Sequence, residues 1–205
     1  MGVLILFRSR VDVNPFREAL HSLIALPGDE LVLSSGYISQ GKQFKAAGPD
    51  NLLPQLQQAV RNGLKRIVII AGKFSARSFW FKHYREFITQ LNSLPISISD
   101  ITRSNWHAKI AIKIDRKRPV AAIVGSSNLT SWAYGVLTDN RFNKECDVII
   151  WPSKANRKIY RYFSGVMEKI GPSNFIYFKK ITEGMNEEER LNNLIKQLRQ
   201  DDIPI

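Results

Sequence analysis

Cysteine is nearly absent from this chain: Cys146 is the only one in 205 residues. A single thiol excludes an internal disulfide and fits a reducing, cytoplasmic compartment. Histidine is scarce too, with only His21, His83 and His107. No C-x2-C pair, H-E-x-x-H sequence or dense Asp/Glu group offers a metal site, so neither metal nor cofactor is expected. No apolar run is long enough to span a bilayer, and stable membrane association is not expected. Val3-Leu-Ile-Leu-Phe7 is too short for a signal-peptide core and precedes Arg8 and Arg10, so it reads as a first strand. Acidic residues are the minority: 18 Asp and Glu stand against 30 Lys and Arg, a net charge of +12. That excess favours a polyanionic partner, either nucleic acid or an anionic headgroup. Internal repeats and low-complexity linkers are missing.

What remains is enough for one sizeable domain. Hydrophobic residues make up 44% of the chain, so a normal core can form. Asn14-Pro15 reads as an N-cap followed by proline in the first helical position, with the helix ending near Ala25 before Pro27-Gly28. Glu30 to Leu33 reads as a strand running into Ser34-Ser35-Gly36-Tyr37-Ile38-Ser39. Those small residues suggest a close approach of the backbone to something, with an ordinary bend as the alternative. A helix is expected over Leu52 to Asn62, ending at Gly63. Ile67 to Ile70 reads as a buried strand, Ser78 to Leu91 as an aromatic helix, and Ile96 to Ile98 as a short strand. After a hairpin, Leu129 to Asn143 reads as loop or short helix. Cys146 to Trp151 reads as a strand, Ala155 to Ile170 as a helix and Asn174 to Ile181 as a last strand. Strands alternating with helices imply an α/β fold. We expect a catalytic domain over residues 1–182 and a helical tail over 183–205. In that tail, Leu191, Leu194, Ile195 and Leu198 form one apolar stripe.

The hairpin carries the chemistry. His107-Ala108-Lys109 opens it, with both polar side chains on one face of a strand. Ile110, Ile112 and Ile114 follow, then a charged turn over Asp115 to Pro119. Val120 to Val124 returns to Gly125-Ser126-Ser127-Asn128. This brings together an imidazole, an ammonium and a carboxamide. A phosphodiester repels anionic nucleophiles, so its cleavage calls for a neutral nucleophile, an acid for the leaving alkoxide and donors to the non-bridging oxygens. Imidazole and imidazolium supply the first two near neutral pH. That requires two histidines in one site.

H-x-K followed by G-S-x-N resembles the HKD motif of the phospholipase D superfamily, most nearly its nuclease and restriction-endonuclease branch. His107, Lys109, Gly125, Ser126 and Asn128 match in place, and Asn143-Lys144-Glu145 resembles the later N-x-E. The family's aspartate would fall at Ile114, whereas Asp115 lies one residue on. A one-residue slip in a strand turns the side chain to the other face, so Glu145 is the better candidate carboxylate. The resemblance implies a sandwich with a central mixed sheet flanked by helices. It also implies a metal-independent mechanism in which one histidine becomes a phosphohistidine and the other protonates the leaving oxygen. Only His107 has the companion residues; His21 and His83 read as structural or solvated. One motif per chain therefore implies a homodimer with the site across its two-fold axis. In that site Lys109 supplies charge, Asn128 a directional donor and Ser126 a further hydrogen bond. Glu145 would hold the far nitrogen of a His107.

Arg103, Lys113, Arg116 and Lys144 flank the motif as candidate phosphate contacts. Trp132 is a candidate stacking platform, with a core or rim position as its alternative. The expected partner is DNA, with RNA as a variant. A separate recognition or helicase subunit would supply the sequence selectivity for which this chain has no room. Two other readings stay open: a phospholipase or phosphatidyltransferase, and a non-catalytic nucleic-acid-binding module.

Overall fold

The computed structural model describes residues 2–8, 13–38, 52–72, 79–134, 144–152, 156–178, 192 and 196. The tail stripe, the boundary at 182/183 and Asn143 lie outside the described residues.

Eight strands form one mixed sheet in the order β4-β3-β2-β5-β6-β7-β1-β8. In chain order the elements begin with β1 (Gly2–Phe7), α1 (Pro15–Ala25), β2 (Glu30–Ser35), α2 (Leu52–Arg61) and β3 (Arg66–Gly72). Next come α3 (Phe79–Leu91), β4 (Ser97–Arg103), β5 (Ile110–Asp115) and β6 (Arg118–Gly125). The chain continues through α4 (Ser131–Tyr134), β7 (Cys146–Trp151), α5 (Asn156–Ile170) and β8 (Phe175–Phe178). β2, β3 and β4 are parallel, linked by helical crossovers, as parallel neighbours require. The pairs from β2–β5 through β1–β8 are antiparallel.

Local signals explain the helix starts. Asn14 Oδ1 accepts the Arg17 amide at 2.9 Å, and Pro15 occupies the first helical position. The strand residues divide by parity into two apolar clusters. Leu31, Leu33, Ile67, Ile69, Ala111 and Ile123 pack with the helices. Val32, Val68, Ile70, Ile112, Ile114 and Ala122 form a second cluster on the opposite face of the sheet. Trp151 is fully buried and stacks between Phe163 of α5 and Tyr177 of β8.

Lys113 belongs to this interior rather than to a ligand site, contrary to expectation. It lies in β5 with 1% of its surface exposed, and its Nζ donates to the Ile24 carbonyl at 3.2 Å. It thus puts a cation at the C-terminal end of α1, where the orphan carbonyls gather. Burial pushes its pKa down to about 8, opposed by Asp29 and Asp115. A folded pKa below the unfolded one means that the unfolded chain holds the extra proton between them, so stability rises with pH across that window. Wild type should therefore gain thermal stability between pH 8 and 9.5, whereas Lys113→Met should stay flat there. Melting temperatures across that range check this, and parallel curves for the two proteins would refute it.

Arg116 is also misplaced by sequence reasoning. Arg116 and Lys117 form the two-residue β5–β6 turn, with φ of 49° and 67°. Its backbone amide donates to Asp29 Oδ1 at 3.0 Å. With a rise of about 3.3 Å per residue, the turn lies roughly 20 Å from the start of β5. Asp115 is exposed beside the same turn.

Candidate active site

Four strand termini converge at the other end of the sheet. They are the C-terminal ends of β2 and β6 and the N-terminal ends of β5 and β7, as the antiparallel registers dictate. The segment before β5 runs beside β2: Ser34 Oγ donates to the Ala108 carbonyl at 3.1 Å, and Trp106 Nε1 donates to Ser34 Oγ at 2.8 Å. His107 is exposed here. Its ring backs onto Gly36, where a Cβ would come within 3.2 Å of His107 Cδ2. The small residues after β2 therefore do mark a close approach. The Tyr37 ring stands edge-on to the imidazole at 6.0 Å.

Lys109 shares the face of His107, as expected. Its Nζ lies 2.6 Å from His107 Nδ1 and 2.7 Å from the His107 carbonyl. Partial burial lowers its pKa, and the Glu145 carboxylate pulls the other way. His107, Lys109, Gly125, Ser126 and Asn128 line one open cleft of about 480 Å³.

The Asn128 carboxamide is held in one orientation. Its Oδ1 accepts from the Tyr37 amide at 3.2 Å and lies 3.3 Å from Ser35 Oγ, whose hydroxyl donates to the Tyr37 carbonyl at 2.5 Å. Leu129 N donates to Ser35 Oγ at 2.9 Å, and Ile38 bridges Leu129. With the oxygen occupied, Nδ2 is the group left to donate. Asn128→Asp keeps the acceptor and replaces this donor with negative charge. Phosphodiester cleavage should fall about 10²–10³-fold in kcat/KM with the fold retained, as when a transition-state donor is lost. Steady-state kinetics beside a melting curve checks this; a drop below fivefold would remove Asn128 from phosphate binding.

Ser126 is exposed, and its hydroxyl donates to Glu145 Oε2. The Cys146 amide donates back to Ser126 Oγ at 3.0 Å. Within one chain, Glu145 therefore meets Ser126 rather than the imidazole of His107. Lys144 is exposed next to Glu145, and Arg103 is half-buried at the end of β4. Trp132 lies within α4, while the neighbouring Tyr134 is fully buried with its hydroxyl 2.5 Å from His21 Nε2. His83 is buried and faces Glu86 at 3.4 Å. Neither His21 nor His83 lines the cleft.

Sequence reasoning missed two residues. Arg8 follows β1 and is buried; its amide donates to the Glu145 carbonyl at 3.0 Å, and its Nη1 donates to the Ala133 carbonyl at 3.0 Å. Burial and Arg17 lower its pKa to about 10, and Glu145 opposes them. Asp147, only 2% exposed, accepts from Ser127 Oγ at 2.6 Å and from the Ser127 amide at 3.2 Å. Alternation along β7 could have found it, because it puts Asp147 on the buried face of Ile149 and Trp151.

The family model described as cardiolipin synthase, PLD-like domain, matches residues 23–167. That is well over half of the chain, and it spans the hairpin and the Gly125–Asn128 loop. The chain belongs to the phospholipase D superfamily. Its mixed sheet flanked by helices is the phospholipase D-like fold. Among solved structures, a mutant of yeast tyrosyl-DNA phosphodiesterase 1 is 14% identical at a TM-score of 0.41, covering 80% of this chain and 37% of that one. Another structure of the yeast tyrosyl-DNA phosphodiesterase is 14% identical at a TM-score of 0.39, covering 80% and 38%. This phospholipase D-like chain thus spans under half the length of those proteins. No curated protein matches it. No described helix is long and apolar enough to cross a membrane.

Proposed function

We propose that this chain is a metal-independent phosphodiesterase acting on DNA as an endonuclease, with its site shared by two copies. The observation that carries this is the joining of His107, Lys109 and the oriented Asn128 amide in one open cleft. Without substrate, the Lys109 ammonium rests on the imidazole and on a carbonyl. A phosphate oxygen is a stronger acceptor for it, and moving there frees the ring.

A ring nitrogen of one His107 then attacks phosphorus, forming a P–N bond as the P–O bond to the leaving oxygen breaks. His107 of a second copy, as imidazolium, delivers its proton to that oxygen. Now neutral, it takes a proton from water, whose oxygen attacks phosphorus and breaks the P–N bond. Lys109 and Asn128 bind the non-bridging oxygens throughout. Ser126 lines the cleft beside Lys109 and donates its hydroxyl to Glu145. A restriction or defence role, with recognition supplied by another subunit, fits such a catalytic module.

The net charge of +12 fits a polyanionic substrate, and the basic residues around the motif favour DNA. Lys109, Lys144 and Arg103 lie at the motif end of the sheet. Each phosphate neutralised should add about 0.9 to the salt slope of binding. The cardiolipin synthase description of the family model supports a second reading, transfer of a phosphatidyl group.

Supercoiled plasmid and single-stranded DNA should both be tested in EDTA. Cleavage there by wild type supports the proposal. Cleavage that needs added magnesium would remove the histidine mechanism. Absence of DNA cleavage combined with headgroup release from anionic vesicles would favour the phosphatidyl reading.

A further inference from the structure

We infer that Asp147 is the positioning residue of the Gly125–Asn128 loop and that it sets where the Asn128 amide meets a phosphate. The inference rests on the reading of the cleft as a phosphodiester site, and it assigns a task to a residue outside the recognised motif.

The loop is held from two sides. On one side, Ser35 and Tyr37 take the Asn128 oxygen and the Leu129 amide. On the other side, Asp147 takes both donors of Ser127, its hydroxyl and its amide. Ser127 is itself only 2% exposed, so these bonds are shielded from water. Gly125 is the direct partner of Asp147 in the β6–β7 register. A Cβ on Gly125 would come within 2.7 Å of Asp147 Cα, so the two strands close here only because position 125 is glycine. Ile114, where the motif would have its aspartate, is buried in the cluster on the opposite face of the sheet. The carboxylate at this loop comes from β7.

Stability alone does not account for a carboxylate here. Burial pushes Asp147 up to about 6; the Ser127 hydroxyl and the Ser127 and Ser126 amides oppose this, and Glu145 adds to it. Its register partner on β1 is the apolar Leu6. The charged group that acts on it, just ahead of β7, is another carboxylate, Glu145. A pKa raised on folding means that the ionised form at neutral pH costs the fold stability. Groups of this kind gather at functional sites.

The test compares Asp147→Ala with Asp147→Asn in the full chain. Two readouts apply: amide hydrogen exchange at Ser127 and Leu129, and cleavage of a single-stranded oligonucleotide. Asp147→Ala should speed exchange at both amides at least tenfold. It should also lower kcat about 100-fold, the scale of a misplacement near 1 Å, with KM within threefold. Asp147→Asn keeps the shape and one acceptor; it should recover at least tenfold of kcat and melt no lower than wild type. Should Asp147→Ala not fold, Ser127→Ala gives the same reading, with faster Leu129 exchange and kcat reduced about tenfold, in line with loss of one positioning bond. Unchanged exchange and kcat in the folded variants would overturn the assignment. So would a fall in melting temperature and kcat that Asn does not rescue, since that marks a purely structural residue. A wild type that cleaves nothing would count against the phosphodiesterase reading, while the exchange measurements would still decide the role of Asp147.

Discussion

Replacing His107 with alanine should lower single-turnover cleavage of a phosphodiester about 10⁴-fold or more, because the proposed mechanism uses the residue as nucleophile in one copy and as acid in the other. The two roles coincide in one residue, so one substitution removes both. The fold should hardly respond. His107 is exposed, and the polar contacts of its ring are to Lys109, whose bond to the His107 carbonyl survives the substitution. Surface substitutions of this kind typically change stability by no more than about 0.5 kcal/mol. Rapid-quench kinetics beside a melting curve separates the two effects. A rate within tenfold of wild type would move the chemistry away from this imidazole and towards the binding-module reading.

Gly125→Ala should damage both the fold and turnover. The new methyl group would meet the Asp147 carboxylate and come within 2.7 Å of the Asp147 backbone. Backbone cannot rotate away as a side chain can, so β6 and β7 must separate just where the Asn128 loop begins. Overpacking of this kind costs about 1–3 kcal/mol, and the displaced loop should lower kcat about 100-fold. Both losses are expected together, read by denaturant unfolding and by turnover at saturating DNA. Wild-type turnover in a folded Gly125→Ala protein would show that the loop tolerates displacement and would weaken the assigned role of Asn128.

The sequence was most informative where one local rule decided the outcome. Asn14-Pro15 started α1 as capping predicts, and the apolar run at Ile67 to Ile70 lies inside β3. The H-x-K spacing put Lys109 on His107. Sequence reasoning failed where distance along a strand mattered more than closeness in sequence. Lys113 is four residues from Lys109 and has the same parity, yet about 13 Å of extended chain carries it under α1. Arg116 lies farther still, in a left-handed turn usually given to Asn or Gly. Glu145 was expected against the far nitrogen of a His107, as carboxylates sit in triads; within one chain it takes the Ser126 hydroxyl. Asp147 escaped notice because no motif names it, and its importance arises from the pairing of β6 with β7, a contact between residues 22 positions apart.

Trapping a covalent intermediate tests the proposed shared histidine site most directly. A phosphorus–nitrogen bond survives alkali and breaks in acid, so the reaction is quenched in alkaline denaturant. Wild type mixed with labelled DNA in EDTA should retain label in the peptide containing His107, at one label per two chains, and His107→Ala should retain none. Label that persists in His107→Ala, or cleavage with no protein-bound label, would contradict a phosphohistidine at a site built from two copies.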